Sequence, residues 1–263
     1  METNQNLLEY RKVDIQYGDR KIIQDFSLQM KQGEILGIVG ESGSGKSTVI
    51  RAAMGLLGDS GKVSGGEILY CGTDMTKVSG EQLRQLRGPE LGMIFQNAGA
   101  SLCPIRTIEE QLYEAVLQHE AVSKEEIRDR ALKLFDQLRF TNGKQILKSY
   151  PFEFSGGMNQ RVGIVLAMVL RPKLLLADEP TSALDVTVQA QVIKEMMKLR
   201  ELYGTGIAIV THNISVVNYM ADYVAVMHQG KLVEYGAKEE VLNHPQEAYT
   251  KKLIGSVLRL KRR

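Results

Sequence analysis

The chain has 263 residues, 43% of them hydrophobic and 24% charged, enough to bury a substantial core as one large or two small domains. Its 33 Lys and Arg side chains nearly balance 31 Asp and Glu, and the net charge of +2 gives no reason to expect a nucleic-acid surface. The apolar stretch 162–170 is bounded by Arg161 and Arg171, far short of the roughly 20 residues a membrane-spanning helix needs, and the polar, acidic start Met1-Glu2-Thr3-Asn4 is unlike a secretory leader, so a cytosolic chain is expected.

Residues 7–39 alternate apolar and polar positions, with turn signals at Gly18-Asp19 and Gln32-Gly33, and are expected as short strands of a hairpin-rich region. The apolar run 34–39 then meets Gly40-Glu41-Ser42-Gly43-Ser44-Gly45-Lys46-Ser47-Thr48, a complete G-x-x-x-x-G-K-[ST] phosphate loop, followed by the helix-like stretch 49–54. A triphosphate is wrapped by backbone N–H groups, which point inward together only where Gly40, Gly43 and Gly45 carry no side chain. The helix N-terminus behind the loop adds its partial positive charge. In such a loop Lys46 reaches the β- and γ-phosphates and the Ser47 hydroxyl coordinates Mg²⁺. Nucleotide binding is the expectation.

Residues 65–70 and 91–95 continue the strand pattern. From Thr107 to Lys148 the period becomes helical, through Ile108, Leu112 and Val116 and then Ile127, Ala131, Leu134 and Leu138, as if an insert of helices had entered a strand-rich core. Residues 162–170 read as a buried helix, 173–177 as a buried strand, 188–203 as a helix, and 206–210 and 223–227 as further buried strands. Alternation of strands and helices predicts an α/β core with a largely parallel sheet. Cys71 and Cys103 have no partner at metal-ligand spacing and are expected to be small core residues. The basic run 258–263 is a solvated tail or a contact for anionic lipid or a partner.

The apolar run 174–177 ends in Asp178-Glu179. Neighbouring side chains at a strand end point to opposite sides, so two adjacent acids can take different tasks. Asp178 is expected in the Mg²⁺ shell, and Glu179 is expected to polarise the attacking water, in a reaction catalysed mostly by positioning and charge stabilisation.

Residues 154–161, Phe-Ser-Gly-Gly-Met-Asn-Gln-Arg, resemble the LSGGQ-type sequence of the ABC transporter ATPases, and the phosphate loop, Gln96, Ser155-Gly156-Gly157, Asp178-Glu179, Ser182 to Asp185 and Thr211-His212 occur in that family's order across essentially the whole chain. The resemblance implies a P-loop NTPase (RecA-like) α/β core with an antiparallel β subdomain and an inserted α-helical subdomain. Its implied boundaries are 1–96 with 166–240 for the core, 97–165 for the helical subdomain with the signature loop, and 241–263 for a short tail. It implies ATP and Mg²⁺ as ligands. Catalytic roles fall to Glu179, His212 and Gln96; metal contacts to Ser47, Gln96 and Asp178; and nucleotide contacts to Tyr17, the whole loop from Gly40 to Thr48, and Asp185. By the same resemblance Ser155, Gly156 and Gly157 serve the ATP of a second subunit, His212 meets the γ-phosphate and Glu179, and Gln96 begins the insert that touches the membrane subunits. Tyr17 stands where an aromatic stacks on adenine, with Tyr10 as its rival.

Phe154 and Met158, residues 100–104 after Gln96, the stretch 180–191, and His244-Pro245 followed by Tyr249-Thr250 are similar to ATPase subunits of dipeptide, oligopeptide and nickel uptake systems. Peptide-type members commonly run further and carry cysteines in that extension. The stop at Arg263 therefore inclines the reading toward nickel or a metal chelate. Expected partners are a second, related ATPase subunit, two membrane permeases and an extracytoplasmic binding protein, with this chain peripheral on the cytoplasmic face and without nucleic acid. An apolar docking surface is expected near 98–113, including Leu102, Pro104 and Ile105. The alternative is a soluble ABC-type ATPase acting on nucleic acid or the ribosome, which would normally carry a long coiled coil, a zinc module or two cassettes.

Overall fold

A computed structural model describes residues 6–256. In chain order its elements are β1 (Leu8–Tyr17), β2 (Arg20–Met30), β3 (Ile35–Val39), α1 (Lys46–Ala53), β4 (Gly61–Tyr70), β5 (Thr73–Asp74), α2 (Gly80–Leu86) and β6 (Leu91–Ile94). There follow α3 (Ala98–Ser101), α4 (Ile108–Leu117), α5 (Lys124–Gln137), α6 (Gly143–Lys148), a 3-10 turn (Pro151–Glu153), α7 (Gly156–Met168), β7 (Leu174–Asp178) and α8 (Val186–Tyr203). The chain continues through β8 (Gly206–Val210), α9 (Ile214–Met220), β9 (Tyr223–His228), β10 (Lys231–Ala237), α10 (Lys238–Asn243) and α11 (Ala248–Gly255). The described residues form two compact units, one running up to Leu83 and resuming at Gly206, the other spanning 84–205. The basic run 258–263 lies outside the described residues.

The first unit holds an antiparallel sheet in the order β2-β1-β4-β5 and a second group of strands in the order β10-β9-β3-β8. In that group β3 runs parallel to both β8 and β9. Every residue of β3 and β8 is buried, as strands covered on both faces require. The turn at Gly18-Asp19 closes the β1–β2 hairpin as its residues predict. The turn at Gln32-Gly33 does not close a second one: it carries the chain out of the antiparallel sheet, and β3 finds its neighbours far along the sequence. Turn residues set the reversal and not the partner strand. Gly37 shows how tightly the layers meet, since a Cβ there would come within 2.6 Å of Val217 on α9.

The second unit pairs β6 parallel to β7, so residues 91–94 are a buried parallel strand and not a further piece of the hairpin region. Its helices form as their patterns predict. A capping box at Thr107 starts α4, with the Thr107 side chain accepting from the Glu110 N–H and the Glu110 carboxylate accepting from that of Thr107. Ser123 caps α5 in the same sense. The inward stripes of the two helices, Ile108, Leu112 and Val116 on one and Ile127, Ala131 and Leu134 on the other, are buried. Cys71 is exposed and Cys103 half-buried, so the expectation of two core cysteines fails, most clearly at Cys71, which lies just past the end of β4. No helix among the described residues is long and apolar enough to cross a membrane.

Candidate functional site

In the first unit the phosphate loop leaves the C-terminal end of β3 and enters α1 at Lys46. Gly45, the residue before the helix, has φ of 99°, and a Cβ there would lie 2.4 Å from Ile23 Cδ1. At Gly40 a Cβ would strike the Met227 carbonyl oxygen at 2.2 Å. Both positions admit glycine for steric reasons, which is what lets the backbone itself form the cradle. Lys46 is only 5% exposed, and its ammonium donates to the Gly40 and Glu41 carbonyls at 2.9 and 2.8 Å. A cation is thereby carried into a desolvated loop, where its attraction for an anion is strongest. The Ser44 hydroxyl is buried with no hydrogen-bond partner among the described residues, a polar atom that a phosphate oxygen would satisfy.

The loop is braced from two sides. The Gly230 N–H, in the turn between β9 and β10, donates to the Ser44 carbonyl at 3.1 Å, and the Glu41 N–H donates to the Tyr249 hydroxyl at 3.1 Å. His212 is exposed just beyond β8, the parallel neighbour of β3, so it and the phosphate loop leave adjacent strands at the same end. Thr211 before it is buried; its N–H donates to the Ile38 carbonyl and its hydroxyl accepts from the Asn213 N–H at 3.0 Å. Between the two tyrosines the structure discriminates. Tyr10 is buried, packs edge-on against Phe26 and donates its hydroxyl to the Val49 carbonyl, a core residue that burial drives well above its ordinary pKa. Tyr17 is half-buried at the end of β1.

In the second unit Asp178 closes β7 at 1% exposure, and Glu179 follows with φ of 45°. A glutamate held in the left-handed region is a strained position that its surroundings must fix. They do so from both ends: the Ser182 N–H and hydroxyl each donate to the Glu179 carbonyl at 3.2 Å, and the Gln96 side-chain amide donates to the Glu179 carboxylate at 3.2 Å. Gln96 is itself bracketed. The buried Gln160 on α7 donates to the Phe95 carbonyl at 3.2 Å and accepts from the Ala98 N–H at 3.3 Å, gripping the backbone on either side of Gln96.

Ser155 caps α7 by accepting from the Met158 N–H, and Ser155 and Gly156 are exposed. Gly157 faces Val188, with room for no Cβ. Asp185 caps α8, accepting from the N–H groups of Thr187 and Val188 at 3.0 Å each. Leu102 is buried, so it does not belong to an exposed docking surface, whereas Ile105 is 82% exposed and Pro104 is exposed. Sequence reasoning missed the bracing residues Gln160 and Gly230, and it placed Ser182 in a motif without its bracing role. Gln160 lies beside the signature residues and could have been noticed there; nothing local marks Gly230.

Residues 23–182 match the ABC transporter family. The chain belongs to that family. It is an ATPase of the ABC type, and its α/β fold is that of the family's ATP-binding cassettes. It is 41% identical to the oligopeptide transport ATP-binding protein OppD of Salmonella typhimurium over 92% of this chain and 72% of that one. It is 38% identical to the metal-staphylopine import system ATP-binding protein CntD of Staphylococcus aureus over 90% of this chain and 88% of that one. Among solved structures, the dimeric ATP-binding cassette MJ0796, in a post-hydrolysis state bound to ADP and Pi, superposes with a TM-score of 0.76 at 27% identity, covering 88% of this chain and 98% of that one.

Proposed function

We propose that this ABC chain is the ATP-hydrolysing subunit of an importer for small peptides or metal chelates, the latter including nickel complexes. It is peripheral on the cytoplasmic face of the membrane, paired with a second, related cassette and seated on two permease subunits that receive cargo from an extracytoplasmic binding protein. The observation that carries the reading is the desolvated Lys46 ammonium inside a complete phosphate loop, in a chain whose relatives are named as transport ATP-binding subunits. Those names lend no support to the nucleic-acid or ribosome alternative.

In this reading Gly40 to Thr48 wrap the triphosphate, with Lys46 on the β- and γ-phosphates and Tyr17 against adenine. Ser47, Gln96 and Asp178 offer hydroxyl, amide and carboxylate oxygens, a donor set that fits Mg²⁺, a hard ion usually held by one or two carboxylates together with substrate phosphates. When bound, that ion neutralises charge on the phosphates. Glu179 orients and polarises the water, aided by the Gln96 amide that fixes its carboxylate. His212 stabilises the γ-phosphate, and Ser155, Gly156, Gly157 and Asp185 serve nucleotide across the interface with the second cassette. The exposed Ser155 and Gly156 at the start of α7 support the anion-binding role.

The test is Lys46→Ala in the assembled importer. Loss of a charge-assisted contact contributing roughly 1.5–3 kcal/mol should weaken ATP affinity about tenfold or more and abolish hydrolysis. Unchanged ATPase activity would refute the assignment. Uptake assays in vesicles with a labelled dipeptide and with a nickel chelate separate the two cargo classes.

A further inference from the structure

The segment after β10 is tied to the phosphate loop by a chain of contacts that nucleotide chemistry does not itself call for. Glu234 on β10 accepts from the N–H groups of Gln246 and Glu247 at 2.8 and 3.2 Å, fixing the start of α11. Burial pushes the Glu234 carboxyl up, but the bonds it accepts from the backbone hold it below its ordinary value, in keeping with an ionised anchor. On the next turn the Tyr249 ring stacks on His228, the last residue of β9, with centroids 4.0 Å apart and planes 19° from parallel. The ring edge then delivers its hydroxyl to the Glu41 N–H at 3.1 Å, across 208 residues of sequence.

Glu41 is the second residue of the loop, and its carbonyl also receives the Lys46 ammonium and the Ser44 N–H. The Gly40–Glu41 peptide thus donates its N–H to Tyr249 of α11, while its carbonyl and the next one accept from the ammonium that meets the phosphates. We infer that Tyr249 is a positioning residue for the nucleotide: its hydroxyl pins the entrance of the phosphate loop, so that the C-terminal segment sets the loop's readiness for a triphosphate. The inference rests on the nucleotide reading of that loop. It differs from a packing role, which the ring on His228 would satisfy without any hydroxyl.

Tyr249→Phe removes the acceptor and keeps the ring. In the full chain, titration calorimetry with Mg-ATP should show Kd raised about three- to tenfold, the size expected for one neutral hydrogen bond, and hydrogen exchange should quicken in peptides covering 40–45. In the assembled importer KM for ATP should rise while kcat stays within about twofold. His228→Leu, which removes the stack but leaves the hydroxyl, should show a smaller loss of affinity. Unchanged affinity and unchanged exchange in Tyr249→Phe, or a fall in melting temperature alone, would overturn the inference. A wild-type chain that binds no Mg-ATP would overturn the nucleotide reading instead.

Discussion

Glu179 occupies a backbone conformation that costs most side chains about 1–3 kcal/mol, and Ser182 and Gln96 hold both its carbonyl and its carboxylate. The strain is local and so is its remedy. Glu179→Gln keeps the length, the backbone and an acceptor for Gln96 but removes the charge that polarises water. The variant should bind Mg-ATP and turn it over at least a hundredfold more slowly, in the range of a removed general base, and it should run as a dimer with Mg-ATP in size-exclusion chromatography. Persistent hydrolysis without added association would show that another group activates the water. Ser182→Ala, which deletes one of the two bonds to the Glu179 carbonyl, should lower kcat with little change in KM.

At the scale of elements, α7 does more than present Ser155 and the glycines. Gln160 bonds both sides of Gln96, and one residue on, Arg161 donates to Glu195 of α8 at 2.7 Å and to the Leu138 carbonyl at 2.9 Å, with its guanidinium 3.9 Å from the centre of the Phe140 ring. Replacing Gln160 by Leu retains volume but strands the Phe95 carbonyl and the Ala98 N–H, each costing roughly 1–3 kcal/mol if left unpaired. A kcat reduced about tenfold or more, with Mg-ATP affinity retained, would mark the Gln96 segment as the casualty; unaltered kcat would refute the coupling. Burial pushes the Glu195 carboxyl up even though Arg161 and Gln191 pull it down, and one of its oxygens is buried without a partner among the described residues. A carboxyl raised in the folded state binds its proton more tightly there, so stability falls as pH rises above its unfolded value near 4.5. Arg161→Met should therefore lose about 3–5 kcal/mol at pH 7. That deficit should shrink as pH is lowered toward 5 in denaturant titrations, and a deficit independent of pH would place the loss in packing on Phe140.

For the whole molecule the issue is what the exposed apolar side chains meet. Ile105 is 82% and Phe152 72% exposed, the latter stacked on Tyr150, and all three lie in the helical stretch of the second unit. Isolated apolar side chains on a surface are ordinary, but on the proposed importer role such highly exposed ones are docking candidates. Ile105→Asp should leave folding and the Mg-ATP affinity of the isolated chain unchanged while uptake in cells falls. Normal uptake would move the docking surface elsewhere. Leu102→Asp is a different experiment, because it buries a charge and should unfold the region.

The phosphate loop, the Asp178-Glu179 pair and the capped helix starts were legible because their chemistry is written in consecutive residues: spacing along the backbone decides where neighbouring N–H groups and side chains point. The order of the motifs was enough for the family. Tertiary structure alone decided that Tyr10 is core while Tyr17 stays half-buried, that Ile105 and not Leu102 faces out, that β3 pairs with β8 and β9, and that Gln160 and Tyr249 brace segments distant from them. Each of those depends on which distant segment packs alongside, and neither periodicity nor spacing within a segment carries the identity of its neighbour.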